Sequence, residues 1–153
     1  MKNISQLLQD KGADVWAVSP ESSIFDGLKL MAEKNIGALL VVDSNELVGI
    51  FSERDYARKV VLEGKSSRKM MIGEIMTGKV FCVRPDQSIQ ECMELMTEKH
   101  IRHLPVLENE ELVGVISIGD VVKAVISEQE FVIAQLVRLH RKQPIVLFVR
   151  ARS

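Results

Sequence analysis

Residues 47–55 read LVGIFSERD, and residues 112–120 read LVGVISIGD. Both stretches end in Ser-x-x-Asp, Ser52 with Asp55 and Ser117 with Asp120. The spacing has a chemical use where a strand runs into a helix. The first backbone N–H groups of a helix are unpaired and carry the positive end of its dipole. They attract phosphate, and a Ser hydroxyl beside them adds a donor. A carboxylate three residues on lies one turn further along the same side. From there it can accept from both hydroxyls of a ribose cis-diol. Gly49 and Gly114 leave room for a close backbone approach to such a ligand. The same pair also has a plainer use, because Ser at the cap with an acid in the first turn closes a helix start. Spacing alone leaves the two readings level. The recurrence of both members favours binding.

A second group of chemical interest is KHIRHLPV, in which Arg102 and His103 precede the run Leu104–Leu107. Arginine is a planar donor suited to phosphate. The corresponding residues of the first half are Gly37 and Ala38, small enough to let a flat base lie against the backbone. Arg102 and His103 are therefore expected to make the Asp120 site the better phosphate binder.

These side chains need a scaffold, and the sequence writes it twice. With residue n laid over n+65, Val15, Val18 and Pro20 meet Val80, Val83 and Pro85. Ser23-Ile24 meets Ser88-Ile89, and Glu46-Leu47-Val48-Gly49 meets Glu111-Leu112-Val113-Gly114, without a gap. Chance identity is about one in sixteen at typical composition, so this is an internal duplication. Two copies are too few for a solenoid, so the units are expected to pack on each other.

Each unit opens with an extended stretch, Val15–Val18 or Val80–Val83, followed by Pro and a helix-capping Ser. Apolar residues then recur at helical spacing: Ile24, Leu28 and Met31 in one copy, Ile89, Met93 and Met96 in the other. LLVVD or LPVLE predicts a strand, a polar turn follows, and LVGIFS or LVGVIS predicts its partner. A second helix starts at the Ser. The fold class is α/β, with two β-α-β-β-α repeats. The expected boundaries are 10–62 for the first repeat, 63–76 for a linker, 77–130 for the second repeat and 131–153 for a C-terminal helix and tail. Residues 4–11 predict a short amphipathic helix. The closing stretch from Gln143, apolar and then basic, matches nothing in the duplication.

This doubled pattern resembles the cystathionine-β-synthase (CBS) domain, and two in tandem resemble a CBS pair of the stand-alone type. The likeness covers about residues 10–130. It implies pseudo-twofold symmetry and two clefts between the repeats. Each cleft would hold an adenosine-bearing ligand such as AMP, ADP, ATP, NAD or S-adenosylmethionine. The resemblance puts Asp on the ribose, Ser near phosphate and the basic pair on phosphate. One site would then use Ser117, Asp120, Arg102 and His103, with adenine near Asp14, Val15, Trp16, Ile36, Gly37 and Ala38. The other would use Ser52 and Asp55, with adenine near Thr77, Val80, Phe81 and Ile101. That second site lacks a basic pair in its own repeat, and Arg54, Arg58 or Arg102 from across the cleft is the expected substitute. No cofactor is required; an adenine nucleotide would be a regulatory ligand. The apolar residues Val121, Val125, Phe131 and Leu136 would be exposed on a lone monomer and buried by a twofold homodimer, and the likeness points the same way; the effector protein has no identity in the sequence.

Other functions fit less well. GKSS at Gly64–Ser67 lacks the upstream Gly of a phosphate loop, since Lys59 stands there. His100 and His103 have no nearby Cys or carboxylate to complete a zinc set. No nucleophile–base arrangement can be built, so the chain reads as a non-enzyme. Arg138, Arg141, Lys142, Arg150 and Arg152 gather near the end, but a formal net charge of −1 argues against nucleic acid. Cys82 and Cys92 match no disulfide or metal spacing. No apolar run reaches membrane-spanning length, and the start MKNISQLLQDKG lacks a signal peptide's apolar core, so a cytoplasmic location is expected. The remaining alternative is an adaptor that binds a partner and no nucleotide.

Overall fold

Ser23 and Ser88 cap the first long helix of each repeat. Their hydroxyls accept from the backbone N–H of Asp26 and Glu91, each at 3.0 Å. The computed structural model describes residues 2–140, so the tail from Arg141 lies outside the described residues. Helices α2 (Ile24–Lys34) and α4 (Ile89–Lys99), preceded by α1 (Ile4–Lys11), end on left-handed residues at equivalent positions, Asn35 and His100. Each buries one stripe: Ile24, Gly27 and Met31 on α2, Ile89, Cys92 and Met96 on α4.

After each helix comes a hairpin. β2 (Ala38–Asp43) pairs antiparallel with β3 (Glu46–Ser52), and β4 (His103–Glu108) with β5 (Glu111–Ser117). The turn residues Ser44-Asn45 and Asn109-Glu110 all have positive φ, the two-residue geometry that matches strand twist. The registers repeat as the sequence does. Ala38 faces Ser52 where His103 faces Ser117, and both ladders slip just after Val41 or Val106.

The opening strands are shorter than expected. β1 is only Ala17–Val18, parallel to β2. In the second repeat the predicted strand at Val80–Val83 shrinks to one bridge, Val83 with Val106. The cause is one residue. In the first repeat Leu40 N–H donates to the Trp16 carbonyl at 3.1 Å. The equivalent residue is Pro105, which has no N–H to offer Phe81.

The helices after the hairpins also diverge. α3 (Glu53–Tyr56) widens at once into a π-helical stretch, Ala57–Val61, whereas α5 (Ile118–His140) runs unbroken for 23 residues. Val121, expected at the surface, is 1% exposed and belongs to the core, and Val125 is half-buried against it. Phe131 and Leu136 do lie exposed.

The two cores are completed by reciprocal exchange. α1 precedes the first repeat but packs on the second, where Ile4, Leu7 and Leu8 join Ile89, Met96, Leu104 and Ile116. Ile72 and Ile75 precede the second repeat but complete the core of the first, with Ile24, Met31 and Phe51. Equivalent backbone bonds tie the exchanged segments, Ile4 N–H to Gln87 O at 2.9 Å and Ile72 N–H to Ser22 O at 2.8 Å. This exchange corrects the reading of the two strand glycines. A Cβ on Gly114 would lie 2.8 Å from Leu8 Cδ2, and one on Gly49 would lie 2.6 Å from Met76 Sδ and 3.0 Å from the Thr77 carbonyl. The absent side chains admit the chain's own segments, not a ligand.

Candidate ligand-binding site

Both Ser-x-x-Asp turns form reciprocal caps. Asp55 N–H donates to the Ser52 hydroxyl at 3.2 Å, and Ser52 N–H donates back to Asp55 Oδ2 at 3.0 Å. In the second copy Asp120 N–H reaches the Ser117 hydroxyl at 3.1 Å, and Ser117 N–H reaches Asp120 Oδ2 at 2.8 Å. The plain capping role is thus present in both copies. Each carboxylate also holds a lysine. Lys59 lies 3.1 Å from Asp55 Oδ1, where the Thr77 hydroxyl also donates at 3.3 Å. Lys11, at the end of α1, lies 2.6 Å from Asp120 Oδ2 and donates to the Val115 carbonyl at 2.8 Å. The contacts of Asp120 all fall on Oδ2, which leaves Oδ1 without a partner among the described residues. Burial pushes the Asp120 carboxyl up, but the bonds from Lys11 and Ser117 outweigh it and hold the group below its ordinary 3.8.

Beside each cap lies a cavity walled by the opposite repeat. Ser52 and Asp55 share a cavity of about 420 Å³ with Thr77, Val80, Phe81 and Ile101. Ser117 and Asp120 share one of about 460 Å³ with Asp14, Trp16, Ile36 and Ala38. Gly37 and His103 border both cavities. They stand close together, since a Cβ on Gly37 would lie 3.8 Å from His103 Nε2. Burial is the main influence lowering the His103 pKa below 6.5; nearby Asp120 raises it, while Arg102 and Lys11 lower it further. The imidazole is therefore neutral near pH 7.

Most of the residues expected at a site are brought together, with two differences. Val15 lines neither cavity. Arg102, expected on phosphate at the Asp120 site and also as a substitute from across the cleft at the Asp55 site, lines the Asp55 cavity together with Arg54 and Arg58 and does not line the other. Ile118 N–H donates to the Arg102 carbonyl at 2.8 Å, so the main chain touches its own helix start. Arg102 occupies the bend before β4 and lines the other cleft. The basic residues lining the Asp55 cavity therefore outnumber those lining the Asp120 cavity, which was expected to be the better phosphate binder.

Sequence reasoning missed Lys11 and Asn35 in one cavity, and Lys59 and His100 in the other. Two of these were within reach of the 65-residue register, which lays Asn35 on His100. Lys11 was not, because its helix lies outside the matched units.

A family model described as the CBS domain matches this chain twice, over residues 10–62 and 72–127. The chain belongs to the CBS-domain family. A mitochondrial CBS domain-containing protein of Arabidopsis thaliana is 41% identical over 135 residues, covering 82% of this chain and 65% of that protein. The chain therefore spans about two thirds of that relative's length. The structure of a CBS-domain protein from Burkholderia ambifaria is 53% identical, with a TM-score of 0.81, over 84% of this chain and 96% of that one. A CBS domain pair solved in complex with 5′-methylthioadenosine and S-adenosyl-L-methionine matches at a TM-score of 0.74 over 84% of this chain and 98% of that one, but at 23% identity, a likeness of fold alone. No helix among the described residues of this CBS pair is long and apolar enough to cross a membrane.

Proposed function

We propose that this CBS pair is a non-catalytic regulatory sensor that binds adenosine-bearing small molecules in the two clefts between its repeats. The supporting observation is the pairing of each Ser-x-x-Asp helix start with a cavity walled by the other repeat. The carboxylate suits the cis-diol of a ribose, while the N–H groups of Glu53 and Ile118 go to the Gly37 and Arg102 carbonyls and those of Asp55 and Asp120 to the cap serines. Val80, Phe81 and Ile101 in one cavity, and Trp16 and Ile36 in the other, supply apolar surface for a base. A ligand touching both repeats favours one arrangement of them to the extent that it binds that arrangement better. The signal would pass as that shift, through a homodimer, to an effector protein.

Calorimetry of the full chain with AMP, ATP, NAD and S-adenosylmethionine tests the reading. Binding is expected, and Asp55→Ala or Asp120→Ala should weaken the ligand of its own cavity by about 1–3 kcal/mol, the range for hydrogen bonds to a charged group. If none of the four binds more tightly than about 1 mM, some −4 kcal/mol, the sensor reading is wrong. One observation favours the adaptor alternative, namely that both carboxylates already hold a lysine and a cap. The same titration separates the two.

A further inference from the structure

The duplicated halves match in fold but differ in charge where they line the clefts. At two pairs of equivalent lining positions the change has one direction, Asp14 against Lys79 and Gly37 against Arg102, and Arg54 lines the Asp55 cavity where its equivalent Gly119 lines neither. Lys79, Arg102 and Arg54 all line the Asp55 cavity, and Arg58 and Lys59 join them. Lys59 is engaged by Asp55, and Lys79 stands 5.9 Å from the Phe81 ring centre. Arg54, Arg58 and Arg102 form no salt bridge among the described residues, and Glu53 is the one other carboxylate lining this cavity. Three unpaired guanidinium groups around one cavity repel each other, and an anion with several oxygens relieves that repulsion.

The Asp120 cavity has the opposite balance. Its lining cation, Lys11, is engaged by Asp120 and the Val115 carbonyl. Asp14 also lines it and has no salt bridge among the described residues, and the His103 between the cavities is neutral near pH 7. Lys34 stands over the Trp16 ring at 4.2 Å but does not line the cavity. A phosphate chain here would meet two carboxylates and a lysine already engaged.

We propose that the two clefts divide adenosyl ligands by charge. The Asp55 cavity takes those carrying a phosphate chain. The Asp120 cavity takes those whose 5′ substituent is neutral or cationic, such as a thioether or a sulfonium. This assignment rests on the adenosyl-binding reading above and adds to it which ligand goes where.

The test uses the full chain with ATP, S-adenosylmethionine and adenosine as probes. ATP and S-adenosylmethionine should bind together without displacing each other, and added salt should weaken ATP more than it weakens uncharged adenosine. Replacing both Arg54→Gln and Arg102→Gln should weaken ATP by about tenfold or more and leave S-adenosylmethionine within about twofold. Asp14→Lys, which copies the charge of Lys79, should weaken S-adenosylmethionine and raise ATP binding at the second cleft. Circular dichroism confirms that each variant is folded. Mutual displacement of ATP and S-adenosylmethionine from one site overturns the partition, as does equal weakening of both by the double arginine change. In either case adenosine binding still leaves the sensor reading intact. If none of the three probes binds, the partition and the sensor reading fall together.

Discussion

His103 and Gly37 are where the two clefts meet, so the protonation of one imidazole bears on both. Four influences set it: burial first, then Asp120 from α5, Arg102 from the preceding turn and Lys11 from α1. Their net effect keeps the folded-state pKa below 6.5. Below that value the unfolded chain takes up a proton that the folded chain resists. Stability from the neutral ring is therefore full above 6.5 and is lost as pH falls toward the folded value. His103→Gln, which cannot titrate, should show a smaller fall in melting temperature between about pH 7.5 and pH 5.5 than the parent chain. Parallel falls in the two proteins would show that His103 takes no part. Asp120 acts in the same direction over a lower window. Its carboxylate is held low, so its contribution is present above about pH 4 and is lost as pH falls through its folded value. A melt series therefore separates the two residues by pH alone.

The elements rest on side chains that are missing as much as on those present. Gly49 and Gly114 are twins in sequence, yet they face different neighbours, and their replacement should differ in cost. A Cβ on Gly114 meets the end of the Leu8 side chain, which can turn. A Cβ on Gly49 meets the Thr77 backbone carbonyl, in a segment held by bonds in both directions between Ile50 and Thr77 at 3.0 and 2.8 Å. Gly49→Ala should cost about 1–3 kcal/mol or more, the usual range for overpacking. Gly114→Ala should cost less, and Leu8→Ala in the same chain should restore part of the loss. Urea unfolding of the three variants measures this, and equal costs for the two glycines would contradict it. The contrast also shows what the sequence carried and what it did not. Ser23, Ser88 and the polar hairpin turns act locally, so their helix caps and turns were legible from spacing. The loss of the strand at Val80–Val83 depended on Pro105, more than twenty residues away and on another strand. The cleft that Arg102 lines depended on how the two repeats pack on each other. The exchange of α1 with the segment around Ile72 depended on which repeat each one covers. Such long-range facts leave no periodicity in the sequence.

At the scale of the whole molecule, α5 is the feature that the duplication does not explain. Its first turns serve the second core through Val121, with Ala124 and Val125 packed beside it. Ile118, Val122, Ile126, Ile133 and Leu136 fall on one stripe of the same helix and are each at least 44% exposed. The stripe extends past residue 127, where the match to the family model ends, so it continues beyond what one CBS pair needs for its own core. Water is a poor neighbour for a continuous apolar stripe of this length, and pairing with a second copy about a twofold axis would cover it. On the homodimer reading, light scattering at tens of micromolar should give twice the chain mass of 17.2 kDa. Ile126→Glu puts a charge in the middle of the stripe without touching either cleft or the core. It should shift the protein toward monomer while ATP still binds the isolated chain, because each cleft is built within one copy. Thermal stability of the variant should depend less on protein concentration than that of the parent, since mass action ties dimer stability to concentration. A parent chain that scatters as a monomer, with or without nucleotide, would remove the dimer and with it the proposed route from cleft to effector.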